Sequence, residues 1–347
     1  MRYYRLTWQA LLLASCLTHC LSHCRPRPAE HTPAPQLDRR TYLQSMMGTR
    51  FTITLYAEDQ AMADAAAKAA FQYAAEINSA CSDYDATSEL MKLNAAAPNQ
   101  PVPVSHHLFD VLRHGLELAQ QSGGAYDPTL GHHAQNWRVA RTSGRLPSPE
   151  QISQAKAASG WSHLVVDAAT HSVTKRIPEM RLDLGGIAKG YAADGMLNIL
   201  NNHGITRASI TAGGEVRLGE PPPGKLGWQV RLKTLDAQHQ LSPATLSLAN
   251  CGISTSGDLH QSITIGGQSY SHIVNPVTGL GLTARVSATI IADHATLSDA
   301  LATAYCVNPH LSIPQARSLV IIAQPDGTLT SISSENGSAP SHQTGAD

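Results

Sequence analysis

The sequence lacks an excess of charge of either sign. Its 347 residues include 25 Lys and Arg and 26 Asp and Glu, which gives a formal net charge of −1 at neutral pH. Domains that bind nucleic acid usually concentrate basic residues along one face or one helix, and this sequence contains no such basic stripe. The composition therefore argues against a nucleic-acid partner.

The sequence also lacks the spacings that are typical of structural zinc sites. It contains no Cys-x-x-Cys pair, and its 17 histidines form no His-x-x-x-His pair on a convincing helix. Three of the six cysteines lie close to the N-terminus, so an odd number remains for the folded part. We therefore expect at least one buried free thiol rather than a full set of disulfides. The remaining cysteines are Cys81, Cys251 and Cys306.

Long apolar runs are absent beyond the N-terminus. The run at 6–14 follows Arg2 and Arg5 and is shorter than the about 20 residues that span a bilayer, which is typical of an export signal. The small residues directly before Cys16 resemble the end of a bacterial lipoprotein signal, whose cysteine is lipidated and becomes the mature N-terminus. We expect a signal peptide at 1–16, lipidation of Cys16 and an exported, membrane-anchored protein facing the periplasm. An ordinary cleaved signal is the alternative.

Composition divides the rest of the chain into three parts. Residues 17–40 form a Pro-rich polar spacer. Residues 331–347 contain almost no apolar side chains, which predicts a disordered tail. Residues 41–330 are long enough for one large domain or two small ones. Because no internal linker is evident, we predict one folded unit.

The segment 182–190 carries the strongest indication of a ligand site. It reads Leu-Asp-Leu-Gly-Gly-Ile-Ala-Lys-Gly and precedes a stretch that is typical of a helix. An apolar strand that runs into a glycine turn and a helix start presents free backbone N–H groups to an anion. Lys189 adds a positive charge for phosphate. The spacing matches neither the P-loop nor the Gly-x-Gly-x-x-Gly dinucleotide turn, so the prediction is a site for a phosphorylated ligand.

Hydrophobic periodicity predicts an α+β fold. Several strands neighbour each other in sequence and are separated by helices without regular βα alternation, which favours a single large domain of mostly antiparallel sheets packed with helices. The predicted strands are 51–56, 164–167, 172–175, 208–211, 228–232, 246–250, 262–265, 287–292 and 320–323. The predicted helices are 60–80, a short one within 82–94, 107–122, 149–158, 191–200 and 296–306.

The segment 296–303, which reads Thr-Leu-Ser-Asp-Ala-Leu-Ala-Thr, permits two interpretations. Thr296, Asp299 and Thr303 fall on one face of a helix. Oxygens of Asp299 and Thr303 could bind Mg²⁺, which takes one or two protein oxygens together with ligand phosphates. Alternatively, Thr296 is the N-cap of the helix and Asp299 completes a capping box. The segment alone leaves both interpretations open.

Three further segments have ordinary structural explanations when each is taken singly. The Gly-Gly pair at 123–124 is typical of a helix end. Tyr84 lies in a turn that enters a capped helix, where its ring could cover the core. A lone histidine in a strand, such as His272, is more often structural than catalytic.

Taken together and in this order, the motifs resemble the ApbE family of FAD:protein FMN transferases. The resemblance covers about residues 42–325, nearly the whole of the predicted folded part. The matching motifs are Met47-Gly48-Thr49, Tyr84-Asp85, Ser88-Glu89-Leu90, Asn94, Gly123 through Thr129, Leu182 through Tyr191, Gly213 through Arg217, Thr255 through Asp258, Ser271-His272-Ile273, Pro276, Thr278-Gly279, and Asp299 through Thr303.

The resemblance implies an activity, a cofactor and a partner. Members of the family move the FMN half of FAD onto a threonine, or sometimes a serine, of a target protein and release AMP. The implied substrate is FAD, the implied cofactor is Mg²⁺, and the implied partner is a target protein. Flavin-carrying subunits of Na⁺-pumping NADH:quinone reductase or of Rnf-type complexes are the expected targets. Many members are exported and membrane-tethered, which agrees with the N-terminal segment.

The resemblance also implies roles for individual residues. The expected Mg²⁺ ligands are Asp299, Thr303 and a backbone carbonyl near Gly186, with Thr296 nearby. His272 is the expected general base, since an ordinary pKa of about 6.5 suits removal of a proton from a hydroxyl. The residues expected to contact FAD are Met47, Tyr84, Ala125, Tyr126, Asp127, Asp183, Lys189, His272 and Ile273.

Two departures from the family pattern are visible, and alternative functions remain. Glu215 and Asn275 stand where the family more often has Asp; both keep a polar oxygen, so we expect local changes in hydrogen bonding only. Some members hydrolyse FAD to FMN and AMP, which makes an FAD pyrophosphatase one alternative. A non-catalytic FAD-binding lipoprotein is another, and His272 argues against it because binding needs no base. A structural lipoprotein without a ligand would leave the ordered motifs unexplained.

Overall fold

The chain is represented by a computed structural model, which describes residues 36–236, 238–257, 262–324, 326–334 and 341–343. The predicted signal peptide, Cys16 and most of the predicted spacer lie outside these residues, as does Asp258. The expectations for those segments stay predictions. From Leu37 onward, the described residues form one compact unit.

Sixteen strands occur within the described residues. They are β1 (Asp38–Met46), β2 (Thr49–Ala57), β3 (Val102–Pro103), β4 (Leu164–Asp167), β5 (Ser172–Lys175), β6 (Ala208–Ala212), β7 (Glu215–Leu218), β8 (Trp228–Leu235), β9 (Leu241–Leu248), β10 (Gly252–Gly257), β11 (Ser262–Ile265), β12 (Gln268–Ser271), β13 (Arg285–Ala292), β14 (Ala316–Ala323), β15 (Leu329–Ser334) and β16 (Ser341–Gln343).

A nine-stranded sheet forms the centre of the fold, in the order β1-β2-β6-β7-β10-β13-β14-β15-β16. All of its neighbouring strands are antiparallel. Three small sheets accompany it: β3-β5-β4, the hairpin β8–β9 and the hairpin β11–β12. The predicted α+β class with mostly antiparallel sheets is confirmed.

Seven α-helices complete the described part of the chain. They are α1 (Gln60–Cys81), α2 (Glu89–Ala95), α3 (His106–Gln121), α4 (Gly131–Ser143), α5 (Pro149–Ala157), α6 (Ala188–Asn202) and α7 (Ala295–Val307). Short polar residues start four of them, because the side chains of Asp59, Ser88, Ser105 and Ser148 accept hydrogen bonds from backbone N–H groups of the first turn. In contrast, Ile187 and His294, the N-cap residues of α6 and α7, make no side-chain cap hydrogen bond.

Hydrophobic clusters lie on both faces of the large sheet. Helices α1, α6 and α7 pack against one face in the main core, and the hairpin β8–β9 packs against the other around Leu218, Cys251 and Ile253. Because consecutive strand residues point to opposite faces, Ile290 joins the first cluster and Ile291 the second. The sheet is therefore covered on both sides. Cys81, Cys251 and Cys306 are all buried, and no disulfide joins them within the described residues, which agrees with the prediction of at least one buried thiol.

A third cluster attaches α4 to the hairpin β11–β12. It contains Trp137, Ala140, Ile265 and Tyr270. The rings of Trp137 and Tyr270 meet edge to face with their centroids 5.5 Å apart. This contact holds α4 beside the loop that follows β12, where His272 lies.

The sequence did not reveal helix α4, although it indicated the other six helices. The buried residues of α4 are Gly131, His133, Trp137 and Ala140. Because only one of these is a large apolar side chain, the apolar periodicity of the helix is weak. No side chain caps the start of α4 either, so the usual starting signal is missing.

Strands extend beyond both predicted limits of the folded domain. β1 begins at Asp38, inside the spacer predicted for 17–40. It is an edge strand whose side chains are mostly exposed, so its sequence shows no apolar alternation. β15 and β16 lie partly and wholly in the tail predicted to be disordered, and Ile332 of β15 is only 4% exposed. The limits at 40 and 331 are corrected accordingly, because backbone pairing at a sheet edge needs few apolar residues.

Across the described ranges, no helix has the length and hydropathy that crossing a bilayer requires.

Candidate active site

Two tight turns emerge at one end of the large sheet. The turn after β1 holds Met47 at a φ of +49°, and the turn after β6 holds Gly213 at a φ of +71°. Because β2 pairs with β6, both turns lie at the same end. A side chain on Gly213 would meet the hydroxyl of Thr49 at 2.9 Å, so glycine permits this approach. Positive φ is uncommon for a residue with a side chain, and at Met47 it marks a constrained position.

Asn94 fixes the segment that leads into the 182–190 motif. Its side-chain oxygen accepts a hydrogen bond from the N–H of Leu182 (2.8 Å), and its amide nitrogen donates to the carbonyl of the same residue (3.2 Å). The buried ammonium of Lys175 donates to the carbonyls of Asn94 and Met180. Side chains from α2 and β5 thus make hydrogen bonds to the backbone just before Asp183, as a neighbouring strand would do.

The motif at 123–129 pairs with the same segment. The N–H of Asp183 donates to the carbonyl of Pro128 (2.9 Å). The carboxylate of Asp127 accepts hydrogen bonds from the N–H and hydroxyl of Thr129 (2.8 and 2.6 Å) and from the N–H of Trp161 (3.2 Å). Burial raises the pKa of Asp127, against the effect of these hydrogen bonds. Asp127 therefore shapes its own loop, and its predicted contact with FAD stays a prediction.

Asp183 is held between a turn and a cation. Its Oδ1 accepts a hydrogen bond from the N–H of Gly185 (2.8 Å), and its Oδ2 accepts one from the guanidinium of Arg138 (2.9 Å). Arg138 also donates to the carboxylate of Asp83. Burial and the charge of Asp83 raise the pKa of Asp183, and Gly185 and Arg138 act in the opposite direction. Arg138 therefore stabilises the ionised form of a buried carboxylate.

The side chains of Lys189, Glu215 and Asp299 converge at the start of α6. Nζ of Lys189 donates to the carbonyl of Gly185 (2.7 Å) and lies 3.5 Å from Glu215 Oε1 and 3.8 Å from Asp299 Oδ2. Burial alone would lower the pKa of Lys189, but the two carboxylates hold it above its usual value. Asp299 is 2% exposed and accepts a hydrogen bond from the N–H of Gly190 (3.0 Å). The first turn of α6 thus meets the carboxylate of α7.

Two carboxyl groups lie beside the single ammonium group of Lys189 at this point. Burial and the nearness of Asp299 raise the pKa of Glu215 to about 8, against the effect of Lys189. Oε2 of Glu215 is buried and has no hydrogen-bond partner among the described residues. Leaving a buried carboxylate oxygen unpaired is unfavourable, and a divalent cation would relieve it.

The oxygens predicted to bind Mg²⁺ lie close to this carboxylate pair. A Cβ on Gly186 would lie 3.2 Å from Oγ1 of Thr303, so the Gly186 backbone and the Thr303 side chain are neighbours. Asp299 lies one turn before Thr303 on α7. In the part of the chain that the structure describes, no three His, Cys, Asp or Glu side chains are arranged to hold a metal. One carboxylate with hydroxyl and carbonyl oxygens fits a hard cation such as Mg²⁺ better than zinc.

The capping-box interpretation of Thr296 and Asp299 is wrong. Asp194 of α6 caps α7 instead, because its carboxylate accepts from the first two N–H groups of that helix (3.0 and 2.8 Å) and from the Thr296 hydroxyl (2.6 Å). Nε of Arg217 lies 2.8 Å from the same carboxylate. Asp194 and the start of α7 are about a hundred residues apart in sequence, so no local sequence pattern reveals this cap. Asp299 takes no part in capping and faces Lys189.

His272 lies on an exposed loop, and its neighbour Ile273 is anchored in the core. The N–H of Leu282 donates to the carbonyl of Ile273 (2.8 Å), and Ile273 is buried in the main core. No hydrogen bond joins the His272 ring to another described residue. Partial burial and the positive charges of Arg141 and Lys189 lower the pKa of His272. Its imidazole is therefore neutral at neutral pH and able to accept a proton.

Asn275, which stands where the family more often has Asp, makes the hydrogen bonds that hold its loop together. Oδ1 of Asn275 accepts hydrogen bonds from the N–H groups of Val277 (2.8 Å) and Thr278 (3.3 Å). An aspartate oxygen would accept the same bonds, so the expectation of a local change only is consistent with this geometry.

Aromatic residues of the motifs occupy two different environments. Tyr126 is 4% exposed, and its Cε2 would be 3.3 Å from a Cβ on Gly186. Burial raises its pKa well above the usual value, and its hydroxyl has no hydrogen-bond partner among the described residues. Tyr84 is 79% exposed and stacks against the guanidinium of Arg138. Ala125 packs against the main core, and Ile273 is buried within it.

Sequence reasoning assigned no role to Arg138, Asp194 or Glu215. Asp194 follows Gly190 by four positions, so it lies on the same side of α6 as residues that pack inward. A charged residue on that side is a signal that could have been used. Arg138 gave no signal, because its helix itself was not predicted.

The comparisons with known proteins agree with this geometry. The sequence model of the ApbE family matches residues 47–319. A Klebsiella pneumoniae protein named FAD:protein FMN transferase is 31% identical over 300 residues, 84% of each chain. A Treponema pallidum protein of the same name is 32% identical over 231 residues. That alignment covers 62% of this chain and 64% of the Treponema protein, so the match spans slightly less than two thirds of that relative.

Solved structures show the same fold. The flavin transferase ApbE from Vibrio cholerae superposes with a TM-score of 0.77 and 25% identity, over 86% of this chain and 98% of that one. The flavinyl transferase ApbE of Pseudomonas stutzeri has a TM-score of 0.77 at 22% identity, over 87% and 96% of the two chains, and supports the fold alone. The family match over most of the sequence and the relative that aligns over 84% of it lead to one conclusion: the chain belongs to the ApbE family.

Proposed function

We propose that this protein transfers the FMN part of FAD to a threonine or serine hydroxyl of a target protein and releases AMP. The observation that carries the proposal is the convergence of Lys189, Glu215 and Asp299 at the start of α6. The lysine can bind a pyrophosphate, and the carboxylates beside it can bind the cation that accompanies the pyrophosphate. The names of the relatives support the same reaction.

In the proposed reaction, one phosphorus–oxygen bond forms and another breaks. The acceptor hydroxyl oxygen attacks the phosphorus of the FMN half, its proton passes to His272, and AMP leaves with the bridging oxygen. A neutral His272 on an exposed loop is suited to meet a protein side chain and to accept this proton. The ammonium of Lys189 is suited to stabilise charge that builds on the phosphate oxygens.

We further propose that Asp299, Thr303 and the Gly186 carbonyl hold Mg²⁺. When bound, Mg²⁺ would act as a Lewis acid that neutralises the pyrophosphate oxygens. The unpaired Glu215 oxygen and the hard oxygen donors support this assignment. Thr296 has a weaker case, since its hydroxyl donates its proton to Asp194.

The experiment combines the protein with FAD, Mg²⁺ and a flavin-carrying subunit of Na⁺-pumping NADH:quinone reductase or of an Rnf-type complex, our proposed targets. In-gel flavin fluorescence reports transfer, and AMP release reports cleavage. A fluorescent target that disappears with Asp299→Asn supports the transferase. The His272→Ala variant should bind FAD yet lose transfer; retained transfer would place the base elsewhere.

Two other outcomes identify the alternatives. Release of AMP and free FMN without a labelled target would identify an FAD pyrophosphatase. Bound FAD without any turnover would identify a binding lipoprotein. The transferase is favoured over the second alternative because no hydrogen bond from His272 to another described residue gives this side chain a structural role.

We also propose export and lipidation at Cys16, which would anchor the protein to a membrane facing the periplasm. The support is the sequence of residues 1–16 alone. Metabolic labelling with a fatty acid should mark the full chain and fail to mark the Cys16→Ser variant. Labelling of that variant, or a soluble unmodified chain, would contradict the proposal.

A further inference from the structure

Arg138 joins three side chains from two distant parts of the chain. Its guanidinium donates to Asp83 in the loop before α2 and to Asp183 (2.9 Å) before α6. Its Cζ lies 4.2 Å from the centroid of the Tyr84 ring. The planar fork of a guanidinium can bind two carboxylates at once while its face covers an aromatic ring.

The two carboxylates depend on this cation. The side chains of Asp83 and Asp183 are 8% and 17% exposed and contact the same guanidinium. Buried carboxylates that share a site repel each other. Removing the guanidinium that contacts both carboxylates leaves uncompensated charge, which is more harmful than removing a charged pair together. The consequence of losing Arg138 should therefore depend on the charge of Asp83.

The same cation connects an exposed ring to a buried turn. Tyr84 is 79% exposed although the guanidinium covers one face of its ring, so the other face is available to an aromatic ligand. On the inner side, Asp183 accepts the N–H of Gly185 (2.8 Å), in the turn whose carbonyl receives the ammonium of Lys189. Arg138 thus sets the position of the ring relative to that turn.

We infer that Arg138 is a positioning residue for FAD, which holds the Tyr84 ring and Asp183 in the relative orientation that binds the dinucleotide. The inference rests on the proposed function. Arg138 acts through these two side chains and not on the reacting phosphate. Its loss therefore weakens FAD binding and raises the KM for FAD, while kcat changes by less than about twofold.

The test is a titration of FAD with the full chain, in which quenching of flavin fluorescence reports binding. EDTA is present and the acceptor protein is left out, so that no transfer occurs. R138Q should weaken FAD binding about tenfold, as expected for loss of a charge-assisted contact. R138K keeps the charge but lacks the fork, so it should recover little. R145Q removes the same charge from an exposed position and should bind FAD like the unmodified chain.

A rescue experiment separates positioning from general support of the fold. Adding D83N to R138Q removes the second buried carboxylate, so it should restore a large part of the lost FAD affinity. A residue that only supports the fold would regain FAD affinity only in step with its thermal stability, which is measured on the same variants. Absence of rescue therefore overturns the inference.

The remaining outcomes are also decisive. Equal FAD affinity in R138Q and the unmodified chain overturns the inference and leaves the proposed function intact. Failure of the unmodified chain to bind FAD overturns both. If thermal unfolding shows that R138Q does not fold, R138K decides, and full affinity in that variant overturns the inference.

Discussion

The hydroxyl of Thr296 donates to Oδ2 of Asp194 at 2.6 Å, so a carboxylate from α6 closes the N-terminus of α7. The same carboxylate contacts Nε of Arg217 on β7 at 2.8 Å. Because α7 carries Asp299 and Thr303, Asp194 determines where these two residues lie relative to α6. The candidate cation site therefore depends on a residue that does not belong to it.

Replacing Asp194 should weaken both the fold and the site. Asp194→Ala removes the cap of α7 and the carboxylate that pairs with Arg217, so we expect the free energy of unfolding to fall by about 2 kcal/mol in urea denaturation. Asp194→Asn keeps an acceptor for the N–H groups and should lose less than half as much. An Ala variant with an unchanged urea midpoint would show that the cap is dispensable.

Asn94 should prove a structural residue of the site. Asn94→Ala leaves the N–H and carbonyl of Leu182 without their partners, and we expect a loss of about 2 kcal/mol in unfolding free energy. Asn94→Asp can still accept from the N–H but cannot donate, so its loss should be intermediate. Equal stability of all three chains would contradict this role.

The pH dependence of transfer should reflect His272. Its pKa is lowered by burial and by two cations, and the neutral form is the base. Transfer should therefore stay constant at neutral pH and fall as pH decreases through a value below about 6.5. Arg141→Gln removes one of the two cations. The protonated ring then becomes more stable, so this decrease in transfer should move to higher pH. Arg145→Gln serves as the control, and equal profiles for all three chains would exclude His272 as the titrating group.

Gly190 should tolerate no side chain. A Cβ at this position would lie 2.2 Å from the carbonyl oxygen of Ala295 and 2.9 Å from Cβ of Asp299. Gly190→Ala should therefore push α7 away from α6 and reduce transfer at least tenfold, with a lower apparent affinity for Mg²⁺. The control is Gly115→Ala, whose new side chain would make only ordinary contacts and should leave transfer unchanged. Gly204→Ala is unsuitable as a control because the φ of Gly204 is positive. Unimpaired transfer in the Gly190 variant would refute the close packing of the two helices.

Short-range patterns were predictable from the sequence, and long-range partners were not. The hairpin β4–β5 has the predicted bounds because its two strands are close in sequence and pair directly with each other. Helix α4 escaped prediction because Gly, His and Ala make up most of its buried side. The cap of α7 by Asp194 could not be predicted, since nothing in the sequence near Thr296 indicates that distant residue. The motif residues Lys189 and Asp299 could be connected only through a family resemblance, because their contact joins segments more than a hundred positions apart.

The strand order of the large sheet also bears on how the protein folds. β2 pairs with β6, and the main contacts of the site join α2 to the segment before α6, and α6 to α7. Such distant contacts form slowly, because much chain must be ordered before any of them is made. We expect the ligand site to assemble last, when α7 docks on α6. Capacity to bind FAD would then distinguish a finished molecule from one whose sheet has formed only in part.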